Sequence, residues 1–526
     1  METKNTGPSG SATNTQTIAR NSFWYGIELV FSLVVTFCTS VAVARIVGKD
    51  FVGQARLGYF QYVVWLTNVT IAVGSIGLPA TTRKYMAEYL NCGQPGVARS
   101  TYLVTLKIQV FIALGISAVA LAGVLLLGDP QYQVASVLLV TAMTPRIIAT
   151  IPSNANNAAE VMRRNTGPSL AGGITTTSLT ILGLLVGWDL VGVAAALLVG
   201  NALECGLKLQ SVESWHGHVA RGMVSPELKK RMFAYSGQSL ALLLLNIVVW
   251  DRSDIVILKA VNSDWKHQVL YFSYAFNLSE RILMIPNSFG ISLAATMMAQ
   301  FGRGQARLKE MTVDGARYAL LVALPLLVGV ACIGQPLVLL LYREPYRPMI
   351  ATLTIVVLLA IPKALVAAPT MLLQAIERQG FLIAWGCLCG VVDIGLDFLL
   401  TPHYGANGAA IANGAAQATA ALGIWIYAWR TTGLQLRLGD FGRIMLSGAI
   451  MAAGVLAFLH AVPGAMGMFG AIALGATLWM IALRITGALK PEDASRFLSV
   501  GGQFPAAMRP HWNRLIGWLA PAGAAA

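Results

Sequence analysis

The chain has 526 residues, of which 56% are hydrophobic and only 11% charged, with a mean hydropathy of +0.65. Soluble domains carry roughly 25% charged residues, so a disordered chain, a disulfide-stapled secreted domain and an ordinary soluble enzyme are excluded; apolar runs long enough to cross a bilayer make this an integral membrane protein. Lys+Arg 37 against Asp+Glu 23 leaves a formal charge of +14, which a membrane protein has little surface to accommodate, so the placement of the cations carries information.

In chain order, residues 1–22 are polar and read as a solvated cytoplasmic tail, and the apolar run after them is too long for the core of a signal peptide. Runs of about 20 mostly apolar residues, cut by Gly, Pro and charge clusters, then predict about fourteen helices. Six fall between Phe23 and Val212, an N-terminal lobe over 23–212. The longest connection, 213–232, is a cytoplasmic linker with Arg221, Lys229, Lys230 and Arg231. Six more make a C-terminal lobe over 233–430, the segment 431–486 holds a terminal pair (Arg443 to His460 and Gly467 to Thr486), and 487–526 is a basic, amphipathic cytoplasmic tail. In that tail Arg496, Arg509, His511 and Arg514 alternate with Phe497, Phe504, Trp512, Trp518 and Leu519, a pattern suited to an anionic inner leaflet, although Pro505, Pro510 and Pro521 interrupt any long helix. The fold class expected is therefore all-α and polytopic, with two pseudo-symmetric six-helix lobes and a terminal helix pair.

Two features support the plan. With the amino terminus inside, 25 of the 37 cations fall on inside segments, 7 on outside loops and 5 within spans, the bias of a protein with both ends in the cytoplasm. Tyr59-Phe60-Gln61-Tyr62 in the second helix is echoed by Tyr271-Phe272-Ser273-Tyr274 in the eighth, and Gly93-Gln94 by Gly304-Gln305, as expected of two parallel repeats with a substrate path between them.

The five cations within spans are Lys107, Arg146, Arg252, Arg281 and Lys363. Each costs roughly 2.5–3.5 kcal/mol at a helix centre on insertion scales, so they should face water or a partner. Arg281 is the most central and stands five residues before Pro286, which can kink its helix. Arg252 lies between Asp251 and Asp254, where adjacent acids allow local charge balance. Arg146 follows Pro145 in a polar fourth helix with Ser153, Asn154, Asn156 and Asn157; Lys107 can snorkel to the cytoplasm; Lys363 sits between Pro362 and Pro369, which should bend the tenth helix. Among the acids, Glu28 is one turn into the first helix. Asp393 and Asp397 are spaced i, i+4 on one face of the eleventh, either a proton-carrying pair or partners of Lys363 or Arg252. The six cysteines are scattered without a metal-ligand spacing, and no nucleotide-binding or hydrolase motif occurs. No metal, cofactor or nucleic-acid partner is expected. Small-residue spacings such as Gly183 to Gly187 read as helix packing.

The stretch Ala44-Arg45-Ile46-Val47-Gly48-Lys49-Asp50-Phe51-Val52-Gly53 resembles the element after the first helix of Wzx-type polysaccharide flippases, members of the multidrug/oligosaccharidyl-lipid/polysaccharide superfamily. Ala375-Ile376-Glu377-Arg378, followed by Asp397-Phe398-Leu399-Leu400-Thr401-Pro402-His403-Tyr404-Gly405-Ala406-Asn407-Gly408-Ala409-Ala410-Ile411-Ala412, is similar to a second hallmark of that family. The run from Tyr274 to Ala295 also looks like the eighth helix of lipid II flippases, in which an arginine matching Arg281 lies in a cationic cavity. The resemblance implies a bacterial inner-membrane, non-enzymatic flippase that moves an undecaprenyl-diphosphate-linked oligosaccharide outward by alternating access, working with a polysaccharide polymerase and export machinery. Arg281, Arg252, Arg146, Lys363 and Lys107 would then meet the diphosphate, which arginine binds in bidentate fashion, and Asp393, Asp397 and Glu28 would be candidate coupling or ion-pair acids. A cation-coupled multidrug exporter of the same superfamily is the alternative, and a membrane polymerase a weaker one, since no outside loop is long enough to hold a catalytic domain.

Overall fold

In hydrocarbon every backbone N–H and C=O must be satisfied within the protein, and the apolar runs accordingly become helices. The computed structural model describes residues 9–299, 305–376, 378–435, 437–490, 493, 498 and 509–519; among these it is all-α, with no strand. The chain separates into two compact units, Met1–Asp251 and Arg252–Ala526.

The first unit holds α1 (Ser9–Ile46), α2 (Phe51–Gly74), α3 (Leu78–Asn91), α4 (Pro95–Leu127), α5 (Gln133–Ala158), α6 (Arg163–Val186), α7 (Asp189–His216) and α8 (Pro226–Trp250). Asp50 caps α2 by accepting the Gly53 N–H at 2.7 Å, so part of the first quoted motif is a helix start. Small residues bring α6 and α7 together: a Cβ on Gly183 would lie 3.1 Å from Gly192 Cα, and one on Gly172 3.0 Å from the Gly200 carbonyl. Half of the polar stretch in α5 turns out to be structural. Asn156 is fully buried, donates to Asn165 Oδ1 and accepts from Trp215 Nε1, both at 2.9 Å, tying α5 to α6 and α7.

The second unit holds α9 (Asp254–Val261), α10 (Trp265–Ala299), α11 (Gln305–Tyr342), α12 (Met349–Leu359), α13 (Ile361–Ala364), α14 (Ala367–Ala375), α15 (Gln379–Thr432), α16 (Leu438–Ala461), α17 (Ala465–Thr486) and α18 (Arg509–Leu519). The bend expected from Pro362 and Pro369 is realised as two breaks, which cut the tenth predicted helix into α12, α13 and α14. The α15 segment is two arms that part at Gly405, whose φ of +53° and ψ of −129° lie outside the helical region. Gln268 fills the angle: its Oε1 accepts the Ala406 N–H at 2.9 Å and would be 2.4 Å from a Cβ on Gly405. The glycine of the second hallmark is thus demanded by the corner; Glu377 of the same motif lies outside the described residues.

α16 and α17 pack on each other and on α11 through Leu324, Met451, Val455 and Met468. The chain beyond α17 is fastened to α11 by a buried fork. Arg317, 1% exposed, donates to Asp493 at 2.9 and 2.5 Å and to the Ala488 carbonyl at 2.6 Å, and Tyr318 donates to the same carboxylate at 2.6 Å. α18 buries Ile516 and Leu519 near Met480 and Leu489, with Pro510 harmless in its first turn. Arg496, Phe497, Phe504, Pro505 and Pro521 lie outside the described residues.

Several boundaries differ from the expectations. α1 begins at Ser9, inside the stretch read as a solvated tail. The seventh predicted helix is broken at 251–253, and its long arm, α8, packs with α2 and α3 in the first unit, so the units part a helix later than the 213–232 linker. Among the described residues ten helices are long and apolar enough to cross a membrane, eleven when α2 and α3, bent by 41°, are taken as one span. That count takes α15 once despite its corner at Gly405, and it is made over the described residues only.

Candidate functional site

Three of the five span cations lie in the second unit. α10 carries Phe276 and, one turn later, Glu280 with Arg281 next to it. Lys363 is delivered by the broken segment at α13, and Arg252 by the non-helical residues before α9. The Lys363 ammonium donates to Glu280 Oε1 at 2.7 Å and stands 5.5 Å from the centre of the Phe276 ring. The Arg252 guanidinium sits 5.7 Å from that same ring. Two cations therefore share one aromatic ring, and cation–π attraction offsets part of their desolvation. Arg281 is half-buried next to Glu280 in sequence and close enough to Tyr342 to act on it electrostatically.

A second cluster lies deeper in the same unit. Asp254 and Asp393 are fully buried and Asp397 is 1% exposed. Ser253 Oγ donates to Asp393 at 3.4 Å, Thr401 Oγ1 to Asp397 at 3.1 Å and Asn413 Nδ2 to Asp254 at 3.1 Å, with Gln417 behind Asn413 at 2.8 Å. The i, i+4 spacing does put Asp393 and Asp397 on one face, and that face meets Asp254. Neither acid pairs with Lys363, whose ammonium goes to Glu280. Asp254 and Asp397 lie within mutual hydrogen-bonding reach, where two carboxyls can share a proton; Oδ1 of Asp254 and of Asp393 have no partner. The three carboxyls stand together with no ion-pair partner among the described residues. Sequence reasoning missed Asp254, which had been read as charge balance for Arg252. The break at 251–253 sends the two residues to different partners.

Arg146, Lys107 and Glu28 belong to the first unit. Lys107 is exposed on α4. Glu28 and Arg146, together with Glu204 and Lys208, line an open cavity of about 590 Å³ whose walls are α1, α5, α6 and α7. Lys208 is 7% exposed and donates to Glu204 at 2.6 Å, Ser169 donates to Glu204 at 3.1 Å, and Thr166 approaches Glu28 at 3.5 Å. Glu204 and Lys208 were not singled out by sequence, where Lys208 counts as an inside-loop cation.

These features define a multi-pass, all-helical membrane protein. No family model and no curated protein matches the sequence. Among solved structures the chain is similar to the lipid II flippase MurJ in an inward closed conformation, with a TM-score of 0.68 at 14% identity over 89% of this chain and 98% of that one. It is also similar to an inward-facing multidrug resistance MATE family transporter of the MOP superfamily, with a TM-score of 0.60 at 13% identity over 78% and 94% of the two chains. A MOP superfamily transporter from Pyrococcus furiosus, described as having a binding pocket of reverse polarity, aligns at 0.56 and 13% identity over 78% and 95%. The chain has the fold these membrane proteins share.

Proposed function

We infer that the protein is a flippase for an undecaprenyl-diphosphate-linked oligosaccharide, carrying it from the cytoplasmic to the periplasmic leaflet of a bacterial inner membrane by alternating access of two lobes, with both termini cytoplasmic. The observation that supports the reading best is the group of cations in the second unit, Arg252 just before α9 and Lys363 on α13 around the Phe276 ring, with Arg281 on α10 beside Glu280, because partly desolvated cations suit a diphosphate and repel the cationic substrates of a drug exporter. The likeness in fold to a lipid II flippase supports it. The span cations of the first unit stand apart from this group: Arg146 lines a cavity whose charges balance, and Lys107 is exposed on α4. Undecaprenyl-linked glycans are consumed by polymerisation and export on the far side, so a polysaccharide polymerase and export machinery are the partners. The chemistry is translocation, with no bond made or broken. Arg281→Ala should abolish surface polysaccharide while leaving the amount of protein in the membrane unchanged; normal surface polysaccharide in that variant would sink the role given to Arg281.

A second reading, a cation-coupled multidrug exporter, is favoured by the buried acids Asp254, Asp393 and Asp397 and by the likeness to MATE transporters. Drug resistance on overexpression, retained in Arg281→Ala, would favour it. In the flippase reading the same acids, with Glu28, take up the ion that drives the cycle.

A further inference from the structure

The first-unit cavity has a chemistry different from the cationic corner. Its four charged residues, Glu28, Glu204, Arg146 and Lys208, sum to zero, and Lys208 is already committed to Glu204 at 2.6 Å. A diphosphate gains little from such a set, and a hydrophobic cation finds a single aromatic ring, Phe31, on the wall. The remaining surface is rich in groups that both donate and accept: seven Ser and Thr residues and the amides of Asn154 and Asn201. The wall already uses part of this capacity and leaves the rest turned inward. Asn201 spends one N–H on the Ala142 carbonyl at 3.0 Å and Asn154 one on the Thr150 carbonyl at 2.9 Å, so each keeps its Oδ1 and a second N–H. Lys208 retains two N–H groups beside a carboxylate. Adjacent ammonium, amide and carboxylate groups offer the alternating donors and acceptors that vicinal hydroxyls require, and a volume of about 590 Å³ falls in the range of roughly 300–1,000 Å³ typical of small-molecule sites.

We propose that this cavity is a sugar-binding site, which seats an uncharged, hydroxyl-rich unit of the glycan carried by the transported lipid. The proposal rests on the flippase reading for the source of its ligand and on the cavity alone for its chemistry. Glu204 and Lys208 bind neighbouring hydroxyls as a pair, Asn154 and Asn201 bind others from α5 and α7, and Phe31 on α1 offers the apolar face of a sugar ring a surface. Selectivity follows from the polar groups that would be left unpaired by the wrong ligand.

The full chain in lipid nanodiscs is titrated with undecaprenyl diphosphate and with the same lipid carrying one N-acetylhexosamine. The unsubstituted protein should bind the sugar-bearing lipid at least tenfold more tightly. Asn154→Leu, which fills the cavity with apolar volume, should reduce that ratio to about one without changing the affinity for bare undecaprenyl diphosphate, and Asn154→Gln should keep most of it. Thermal melting of each variant shows whether it is folded, and Glu204→Gln supplies an independent test should Asn154→Leu melt early. Equal affinities for the two lipids in the unsubstituted protein, or discrimination that survives both Asn154→Leu and Glu204→Gln, overturns the sugar site while leaving the flippase reading intact. Failure to bind either lipid overturns the flippase reading itself.

Discussion

The fork between Arg317 and Asp493 is the most exposed to test, because its energetics follow from geometry alone. The two side chains are 1% and 3% exposed, and the carboxylate also receives Tyr318 and the Lys490 N–H at 2.8 Å. Breaking a buried pair by removing one partner costs about 3–5 kcal/mol, since the other charge is left in a dry site without compensation. Asp493→Asn should therefore lower the melting temperature of the purified protein by several degrees, on the order of 10 °C for a unit of this size. Replacing both partners, as in Arg317→Met with Asp493→Leu, should recover most of the loss, because buried pairs give little net gain over apolar residues of similar volume. The pH dependence has a defined sign. Burial alone would raise the Asp493 carboxyl, but Arg317, Tyr318 and the Lys490 amide overcome it and hold the group below the usual carboxylate range. A depressed pKa contributes stability that is fully present above the unfolded value near 3.8 and lost as the pH falls below it toward the folded value. The native protein should thus lose stability below about pH 4 more steeply than Asp493→Asn does. An Asp493→Asn protein that melts with the native one, or a double variant no better than the single, would refute the reasoning.

Three further outcomes test the remaining geometry. Gly405→Ala puts a side chain at φ +53° and 2.4 Å from Gln268 Oε1, so it should cost about 1–3 kcal/mol in thermal melting, and a neutral result would show that the corner relaxes freely. Glu280→Gln removes the acid that holds Lys363, and affinity for undecaprenyl diphosphate measured in nanodiscs should rise severalfold; weaker binding would mean that Glu280 positions Lys363 for the headgroup instead of competing with it. Asp397→Asn should still bind the headgroup, with an affinity that no longer varies with sodium or pH, while flipping in proteoliposomes stops responding to an imposed proton or sodium gradient, and undiminished gradient dependence would remove the carboxyl cluster from the coupling step.

What the sequence disclosed and what it hid follow from the range of the forces involved. Apolar length and proline breaks are local: each is decided by a handful of neighbouring residues, and the helices and the broken segment around Lys363 were readable in advance, whereas Gly405 stood out only within a resemblance and its corner is completed by the distant Gln268. The two tyrosine echoes are local as well, and each unit gives one tyrosine of its run an aromatic partner, the first of the run in one unit and the last in the other. Tyr59 stacks on Tyr132 at 4.4 Å, and Tyr274 packs on Tyr342 and Tyr346 at 5.4 and 6.0 Å. Charge partners are another matter. Arg317 reads as an ordinary cytoplasmic cation, and nothing within a hundred residues of it announces Asp493; Lys208 reads as a loop cation, yet its position on the buried face of α7 makes it part of a cavity wall.

Asp254 shows the reason most clearly. Flanked by Arg252, it carries every local sign of a neutralised charge, but three non-helical residues are enough to rotate the two side chains apart, one to the Phe276 ring and the other to Asp397 and Asn413. In the flippase reading, that break places a headgroup-binding cation and an ion-binding carboxyl at opposite ends of a single short segment, 252–254. Any change of backbone angle there that accompanies uptake of a proton or cation by the carboxyls must also move Arg252 against its ring, because two intervening peptide units cannot absorb a displacement at one end without passing some of it to the other. The same logic gives a direction to test: Ser253→Pro, which fixes one backbone angle in the middle of the segment, should weaken the coupling between ion occupancy and headgroup affinity more than it weakens either binding event by itself. Titrating undecaprenyl diphosphate at low and high sodium, and at two pH values, in the native and Ser253→Pro proteins reads that coupling directly. An unchanged ratio of affinities in the variant would mean that the two sites communicate through some other part of the fold.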